Sequence, residues 1–362
     1  NFFKIETFRG DATTPNALDP QTYSGNQYIN GGFAEIQYRI TPKFTIVAGL
    51  RFEHIYQDIS WKTSLDPEGD KNTFAKFEFL PNASLKYELT EKQNLKLAAS
   101  KSYTLPQYKE RAPFQFEEVT QIKFGNPDLN LSTNYNVDVR WEYFPKNGEV
   151  ISFTGFGKII QNPINEVVVA SATNDISYVN TGKQAEVFGA EFEVRKNIFS
   201  KELEKGEDVL NSKLSAGFNA SYMYSNQDFD RFKVINETKL NVNFTNNEGR
   251  LTGASDVILN ADVTYIKDFS NESNLLGTLA YNYFTDRIYA IGSAGKGDLV
   301  DKGFGSLDFI LKSQISKKIK LGLSLKNVLN SRVKRVQEIQ NIEVLSFKKG
   351  VNASFSLTYK LD

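Results

Sequence analysis

The chain has 362 residues, and its 43 basic side chains are matched by 43 acidic ones, so it carries no net charge. That balance excludes the basic excess on which a nucleic-acid-binding surface depends. With no cysteine and one histidine, His54, the chain cannot build disulfide, thiolate or iron–sulfur chemistry, nor a histidine-based zinc or haem site.

Residues 1–26 open with NFFKIETF, a weakly patterned strand, followed by a polar connection. From residue 27 onward the dominant signal is strict alternation. FTIVAGLRFEH sets Phe44, Ile46, Ala48, Leu50 and Phe52 against Thr45, Arg51 and Glu53. LPNASLKYEL sets Pro81, Ala83, Leu85, Tyr87 and Leu89 against Asn82, Ser84, Lys86 and Glu88. In NYNVDVRWEYFP, Tyr135, Val137, Val139, Trp141 and Tyr143 alternate with Asn136, Asp138, Arg140 and Glu142. The pattern recurs in KLSAGFNASYMYS and DVILNADVTY, and ends in VNASFSLTYKLD, where Val351 to Leu361 alternate with Asn352 to Asp362. Period-two alternation gives each strand one apolar and one polar face. Helical periodicity is hard to find; KELEKGEDVLNSK (201–213) tolerates a helix but reads better as a charged loop.

Roughly 14 such strands are expected, most of about 10 or more residues, the length a tilted strand needs to cross a bilayer. No apolar run reaches the length of a transmembrane helix. The connections alternate in length. Tight turns at 41–43, 90–93, 145–148, 270–273 and 316–318 are interleaved with long polar segments at 61–73, 104–131, 164–177, 227–253, 286–301 and 331–343. Only 197–212 breaks the rule. Short turns at one end and long loops at the other mark an antiparallel transmembrane β-barrel of the bacterial outer membrane. A soluble β-sandwich also alternates, but its strands are about 5–6 residues long and its turns recur about every 8–12 residues. Aromatics near strand ends (Tyr38, Tyr56, Trp61, Tyr87, Tyr103, Tyr143, Tyr265 and Tyr283) read as interface girdles. The apolar faces are therefore expected to meet outer-membrane lipid and the charged faces the lumen.

The candidate functional residues follow from that geometry. Arg51 and Glu53, Lys86 and Glu88, Asp138, Arg140 and Glu142, and Glu191, Glu193 and Arg195 form inward charged ladders. Such rows suit a wall that meets a partner, and equally a solvated wall with none. Ligand capture is expected on the long loops, where a rigid scaffold presents binding residues. The 104–131 loop carries Tyr108, Arg111, Phe114 and Phe116, suited to a glycan, a peptide or another small molecule, or else to packing the loop itself. LDPEGDKN places Asp66, Glu68 and Asp70 at alternate positions, a weak loop calcium candidate that lacks the full EF-hand spacing and reads better as an acidic turn. No other metal and no cofactor is expected. No nucleophile–base–orienter set exists, so the chain does not read as an enzyme. The GxG pieces at 155–157 and 303–305 lie in strands and mark close backbone approach or bends rather than nucleotide loops.

FGNPDLNLSTNYNVDVRWEYF resembles the segment of TonB-dependent outer-membrane receptors in which a GNP-x-L stretch precedes a barrel strand. ISFTGFGKIIQNPINEVV looks like that family's next strand, and YVNTGKQAEVFGAEFEV like its asparagine-to-GxE strand, here Asn180, Gly189 and Glu191. SKSYTLPQYKERAPFQFEE, LTGASDVILNADVTY and LGLSLKNVLNSRVK are similar to the family as well, particularly its Bacteroidota members. The resemblance runs from about residue 27 to the C-terminus and rests on the order and spacing of the motifs. It implies a 22-stranded barrel closed by an N-terminal plug domain, energised through TonB, and importing a scarce nutrient such as a siderophore, cobalamin, haem, a glycan or a peptide. The charged ladders would then face the plug. Plug, TonB box and the terminal aromatic of the barrel-assembly signal are missing from the sequence, and there is no initiator methionine, so the chain is expected to be the C-terminal barrel part of a processed or longer receptor. The alternatives are a self-closed 14-stranded porin-like channel and a soluble or surface-anchored β-rich binding protein.

Overall fold

The computed structural model describes residues 2–10, 18–63, 66–117, 121–171, 175–205, 208–270 and 272–361. Fourteen strands form one antiparallel sheet in chain order: β1 (Phe2–Gly10), β2 (Leu18–Thr41), β3 (Phe44–Thr63), β4 (Asp66–Thr90), β5 (Gln93–Thr104), β6 (Ser132–Tyr143), β7 (Val150–Gln161), β8 (Gln184–Lys205), β9 (Asp208–Asp228), β10 (Val257–Ser270), β11 (Ser273–Phe284), β12 (Phe304–Gln314), β13 (Ile319–Lys326) and β14 (Asn352–Tyr359). A two-residue strand, Glu248–Gly249, adds to β9. Each strand pairs with its neighbour in sequence, which is what tight alternate turns permit. β1 and the start of β2 place residues 18–26 in a strand rather than in a loop.

The alternation becomes two chemically distinct faces. Leu95 and Leu97 on β5, Val137 and Val139 on β6, Phe153 on β7, and Phe188 and Phe192 on β8 all stand exposed on one side. Directly opposed residues share a face, so Ala98, Asp138 and Ser84 lie together on the other. A face of exposed leucine, valine and phenylalanine this extensive has an apolar neighbour rather than water.

Three expectations change. First, the described residues of 61–73 and 201–213, which exclude 64–65 and 206–207, are not loops: β3 and β4 continue their ladder to Thr63↔Asp66, and β8 and β9 pair Lys201↔Ser212 and Leu203↔Leu210. A hairpin that projects into water satisfies its own backbone and needs no apolar face, so its sequence looks like a charged loop. Second, Trp61 and Tyr103 are not girdle residues. Trp61 is buried with Tyr23, Ile59, Ala112 and Phe114, and Tyr103 packs beside Ile55, Phe74 and Leu131 while its hydroxyl donates to Glu53. Third, Gly155 has open space where a Cβ would stand, so close backbone approach does not explain it; at Gly303, just before β12, a Cβ would strike the Phe284 carbonyl.

The long connections carry their own structure. Phe116–Glu117, Ile122–Lys123, Ile164–Val168 and Ile176–Asn180 form one small sheet; Arg287–Ala290, Leu299–Asp301, Arg332–Gln337 and Ile342–Lys348 form another. Two short helices, α1 (Tyr108–Arg111) and α2 (Arg231–Glu237), join them. Val167, Val179, Phe229, Val234, Val242, Ile288 and Ile291 build a common core between these connections, and the Val168 amide donates to the Ile291 carbonyl at 2.9 Å. Among the described residues the side chains of the apolar sheet face stand exposed, and burial of side chains among side chains is concentrated at the loop end.

Candidate ligand-binding layer

The 104–131 connection folds back onto the polar-face residues of β3 and β4. Gln107 opens α1, its amide capped by the Glu110 carboxylate at 2.9 Å. One turn later Arg111 points into the sheet, 1% exposed. Its guanidinium donates to Gln57 Oε1 (2.5 Å), Asn72 Oδ1 (2.8 Å) and the Pro127 carbonyl (2.9 Å), and lies 5.8 Å from the Phe74 ring centroid. Burial pushes this guanidinium below its ordinary pKa and the neighbouring Glu110 carboxyl above its own. Phe114 is buried, and Tyr108 and Phe116 pack on the same cluster. All four aromatic and basic ligand candidates of this loop are thus engaged in fixing the loop to the sheet.

The Gly125-Asn126-Pro127 stretch is the spine of that attachment. A Cβ at Gly125 would overlap the Ala112 backbone, to whose carbonyl the Gly125 amide donates at 2.6 Å. The Asn126 side chain donates to the Tyr178 carbonyl (2.9 Å) and accepts from the Asp128 amide (3.0 Å). Asn180 donates to the Asn130 and Asn162 carbonyls at 3.0 and 2.8 Å and accepts the Asn130 amide at 2.9 Å. Gly189 lies under the Phe156 ring, which leaves no room for a side chain.

Other ties were not foreseen from the sequence. Asn165, Thr181, Gln227 and Thr252 form a buried polar knot, with Asn165 Nδ2 donating to Thr181 Oγ1 and Gln227 Oε1, each at 2.8 Å, and Thr252 Oγ1 donating back to Asn165 Oδ1 at 3.0 Å. Tyr289 accepts from Gln121 Nε2 at 2.7 Å while Lys123 and Arg335 lie over its ring. Burial opposes the charge on Lys123, but its hydrogen bonds to Glu166 and Tyr289 hold its pKa above the ordinary value. No spacing rule announces such contacts, because the partners lie from 16 to 168 residues apart in sequence.

Between the β3–β4 tip and these connections lies a cavity of about 490 Å³, lined among others by Trp61, Asp70, Lys71, Asn126, Asp128 and Lys239. Its size is that of a small-molecule site. Asp66 and Asp70 both border it, but Asp66 accepts the Trp61 indole N–H at 3.0 Å and Asp70 its neighbour's amide at 2.7 Å. Glu68 does not join them: among the described residues no group of three acidic, histidine or cysteine side chains is placed to hold a metal, so the calcium candidate does not assemble.

The charged ladders lie on the polar face as paired ions. Arg51 meets Glu53 at 2.5 Å and Lys86 meets Glu88 at 2.9 Å. Glu142 is shared by Lys96 and Arg140, each at 2.9 Å, and Arg140 reaches on to Glu193 at 3.2 Å. Arg195 stands 3.7 Å from Asp262. Asp138 and Glu191 border a second cavity, of about 440 Å³, with Lys158, Phe156 and Met223.

A family model described as the TonB dependent receptor-like β-barrel matches residues 1–328. The chain belongs to the TonB-dependent receptor β-barrel family. No curated protein matches it in sequence. Among solved structures, the ferric yersiniabactin uptake receptor FyuA from Yersinia pestis is similar over 98% of this chain and 47% of its own, at 15% identity and a TM-score of 0.61. The copper transporter OprC is similar over 99% of this chain and 53% of its own, at 12% identity and 0.61. The siderophore receptor PiuA from Acinetobacter baumannii is similar over 94% and 44%, at 14% identity and 0.58. These likenesses are of fold, and the TonB-dependent receptor chain spans about half the length of the structures it matches.

Proposed function

We propose that this chain forms part of the wall and the ligand-capturing loop layer of an outer-membrane import receptor. The observation that carries the reading is the stitched loop layer, seated on one end of a long two-faced sheet and enclosing a cavity between Trp61, Asp70, Asn126, Asp128 and Lys239. A rigid scaffold below and cross-linked loops above are what a preorganised capture site requires. The apolar face meets outer-membrane lipid. The polar face, with its paired ions, meets a plug domain or water, and TonB supplies the energy as the family implies. FyuA, PiuA and OprC are named for siderophores and copper; by analogy the cargo is a scarce small molecule, and the chain acts by transport rather than catalysis. An open sheet would leave unpaired edges in hydrocarbon, so these strands belong to a closed barrel; the chain's coverage of about half of each matched structure favours a larger barrel, such as one of 22 strands, over closure of these strands alone.

The test is conductance and uptake by the intact protein. Gated uptake that stops when TonB is deleted, with no standing conductance in a planar bilayer, is the expected result. Persistent conductance by the protein alone would overturn it in favour of a passive channel, and solubility without detergent would overturn any membrane reading.

A further inference from the structure

β4 and β5 are paired only near their turn. Their ladder runs from Thr90↔Gln93 to Asn82↔Ser100 and stops. Beyond it β4 continues to Asp66 paired with β3, and β5 continues to Thr104 paired with β6. The next β4 residue is Pro81, which has no N–H to give to either neighbour. Further on, side chains rather than backbone hold β5 to its neighbours: Lys101 Nζ meets Glu78 of β4 at 2.9 Å, and the Tyr103 hydroxyl donates to Glu53 of β3. Glu53 and Glu78 oppose each other across β3 and β4, 7% and 9% exposed, so the β5 end covers both carboxylates. The gap is bounded by a ladder on one side and by ionic ties on the other.

Within it lies a cavity of about 450 Å³, its walls chiefly Phe79, Pro81, Ala83, Ala99 and Tyr135, with the polar Asn82, Ser100 and Asn136 and the charged Lys101 also bordering it. Ala83 and Ala99 are a directly opposed pair, and their small side chains leave the space open. Phe79 and Tyr135 stand exposed beside it on the apolar face. The cavity on the polar face shares two of its lining residues, Ser100 and Asn136, so the two hollows are neighbours across that pair. Ala83 stands about seven residues from the turn, inside the roughly 9–11 that a tilted strand uses to cross a bilayer.

We propose that this slot seats an acyl chain of an outer-membrane lipid, its methylenes against Pro81, Ala83 and Ala99 and its end at Ser100. The inference rests on the membrane reading given above. An apolar hollow is a poor place for water, and one left empty forfeits the dispersion contacts of its lining. Bilayer hydrocarbon is the apolar filler present at that face.

The chain itself has no cysteine, so once any cysteine elsewhere in the intact protein is replaced by serine, single cysteines can be placed in the chain and labelled with bimane in vesicles that contain brominated-acyl phospholipid. Leu97→Cys reports the apolar face, Ala98→Cys the polar face, and Ser100→Cys the slot. Strong quenching at 97 and at 100, with little at 98, is expected, although 98 and 100 share a face. Filling the slot with Ala83→Phe should abolish quenching at 100 and leave 97 unchanged. If 97 is quenched and 100 behaves like 98, the slot holds water or protein and the inference fails. It also fails if Ala83→Phe leaves the quenching at 100 in place. If 97 is itself unquenched, the membrane placement fails instead.

Discussion

Replacing Arg111 by alanine should release the 104–131 connection while leaving the sheet intact. In the folded protein the guanidinium is buried, and its charge is met by neutral acceptors: Gln57 Oε1, Asn72 Oδ1 and the Pro127 carbonyl. Hydrogen bonds to a charged group are worth about 1.5–3 kcal/mol each, and a buried acceptor left unpaired costs about 1–3 kcal/mol. Against this stands relief of the desolvation penalty of the cation, several kcal/mol. The difference should leave a net loss of about 3 kcal/mol, which is roughly a hundredfold in the local opening equilibrium. Hydrogen–deuterium exchange of the intact protein reads it directly, because local opening is measured segment by segment. Amides of 107–131 should exchange roughly a hundredfold faster in Arg111→Ala, with β10 to β13 unchanged. Arg111→Lys keeps the charge but not the fork that reaches three acceptors, and should recover only part of the protection. Unchanged exchange over 107–131 in Arg111→Ala would refute the clamp. Equal loss throughout the sheet would show that the loop and the wall unfold as one unit.

Gly125→Ala should loosen the same segment, since its methyl would displace the Ala112 backbone; protease nicking within 104–131 measures it. Asn180→Ala leaves the Asn130 amide and carbonyl without their side-chain partner and the Asn162 carbonyl with Ser132 Oγ alone, and should lower local stability by about 2 kcal/mol, read by exchange at 129–131 and 161–162. Asp298 is buried and accepts the Gly292 amide at 2.8 Å, and burial raises its carboxyl above the ordinary value. An acid raised on folding favours the fold while protonated, and this contribution is lost as pH rises from the unfolded value of about 3.9 through the raised one. Protection of 292–298, corrected for intrinsic exchange rates, should therefore fall across that window, and Asp298→Asn should flatten the dependence. On the polar face, Glu142→Gln should lower the thermal midpoint, because this buried carboxylate holds both Lys96 and Arg140, whereas Glu88→Gln at an exposed pair should leave it unchanged.

The sequence by itself determined the wall. Period-two alternation at Val137, Val139, Leu95 and Leu97 names the apolar face without reference to any contact, because a strand's side chains must point to opposite sides. The tight turns at 42–43 and 91–92 follow from the same local rules, and the order of strands follows from the turns. The GNP stretch, Asn180 and Gly189 were legible as family marks, but their work was not: Asn126 and Asn180 bond to another connection, Gly125 fits against Ala112 within its own, and Gly189 lies under Phe156 of the neighbouring strand. Only the tertiary structure decided that Trp61 and Tyr103 turn toward buried clusters, that Arg111 is a clamp rather than an exposed ligand contact, and that the described residues of 61–73 and 201–213 are ladders. Aromatic, basic and charged side chains are compatible with either environment, and the choice is made by what the folded loops bring against them. Pro81 lies between these cases. Its missing N–H is written in the sequence, but whether a neighbouring strand parts there, and what fills the gap, depends on how β4 and β5 are held beyond it.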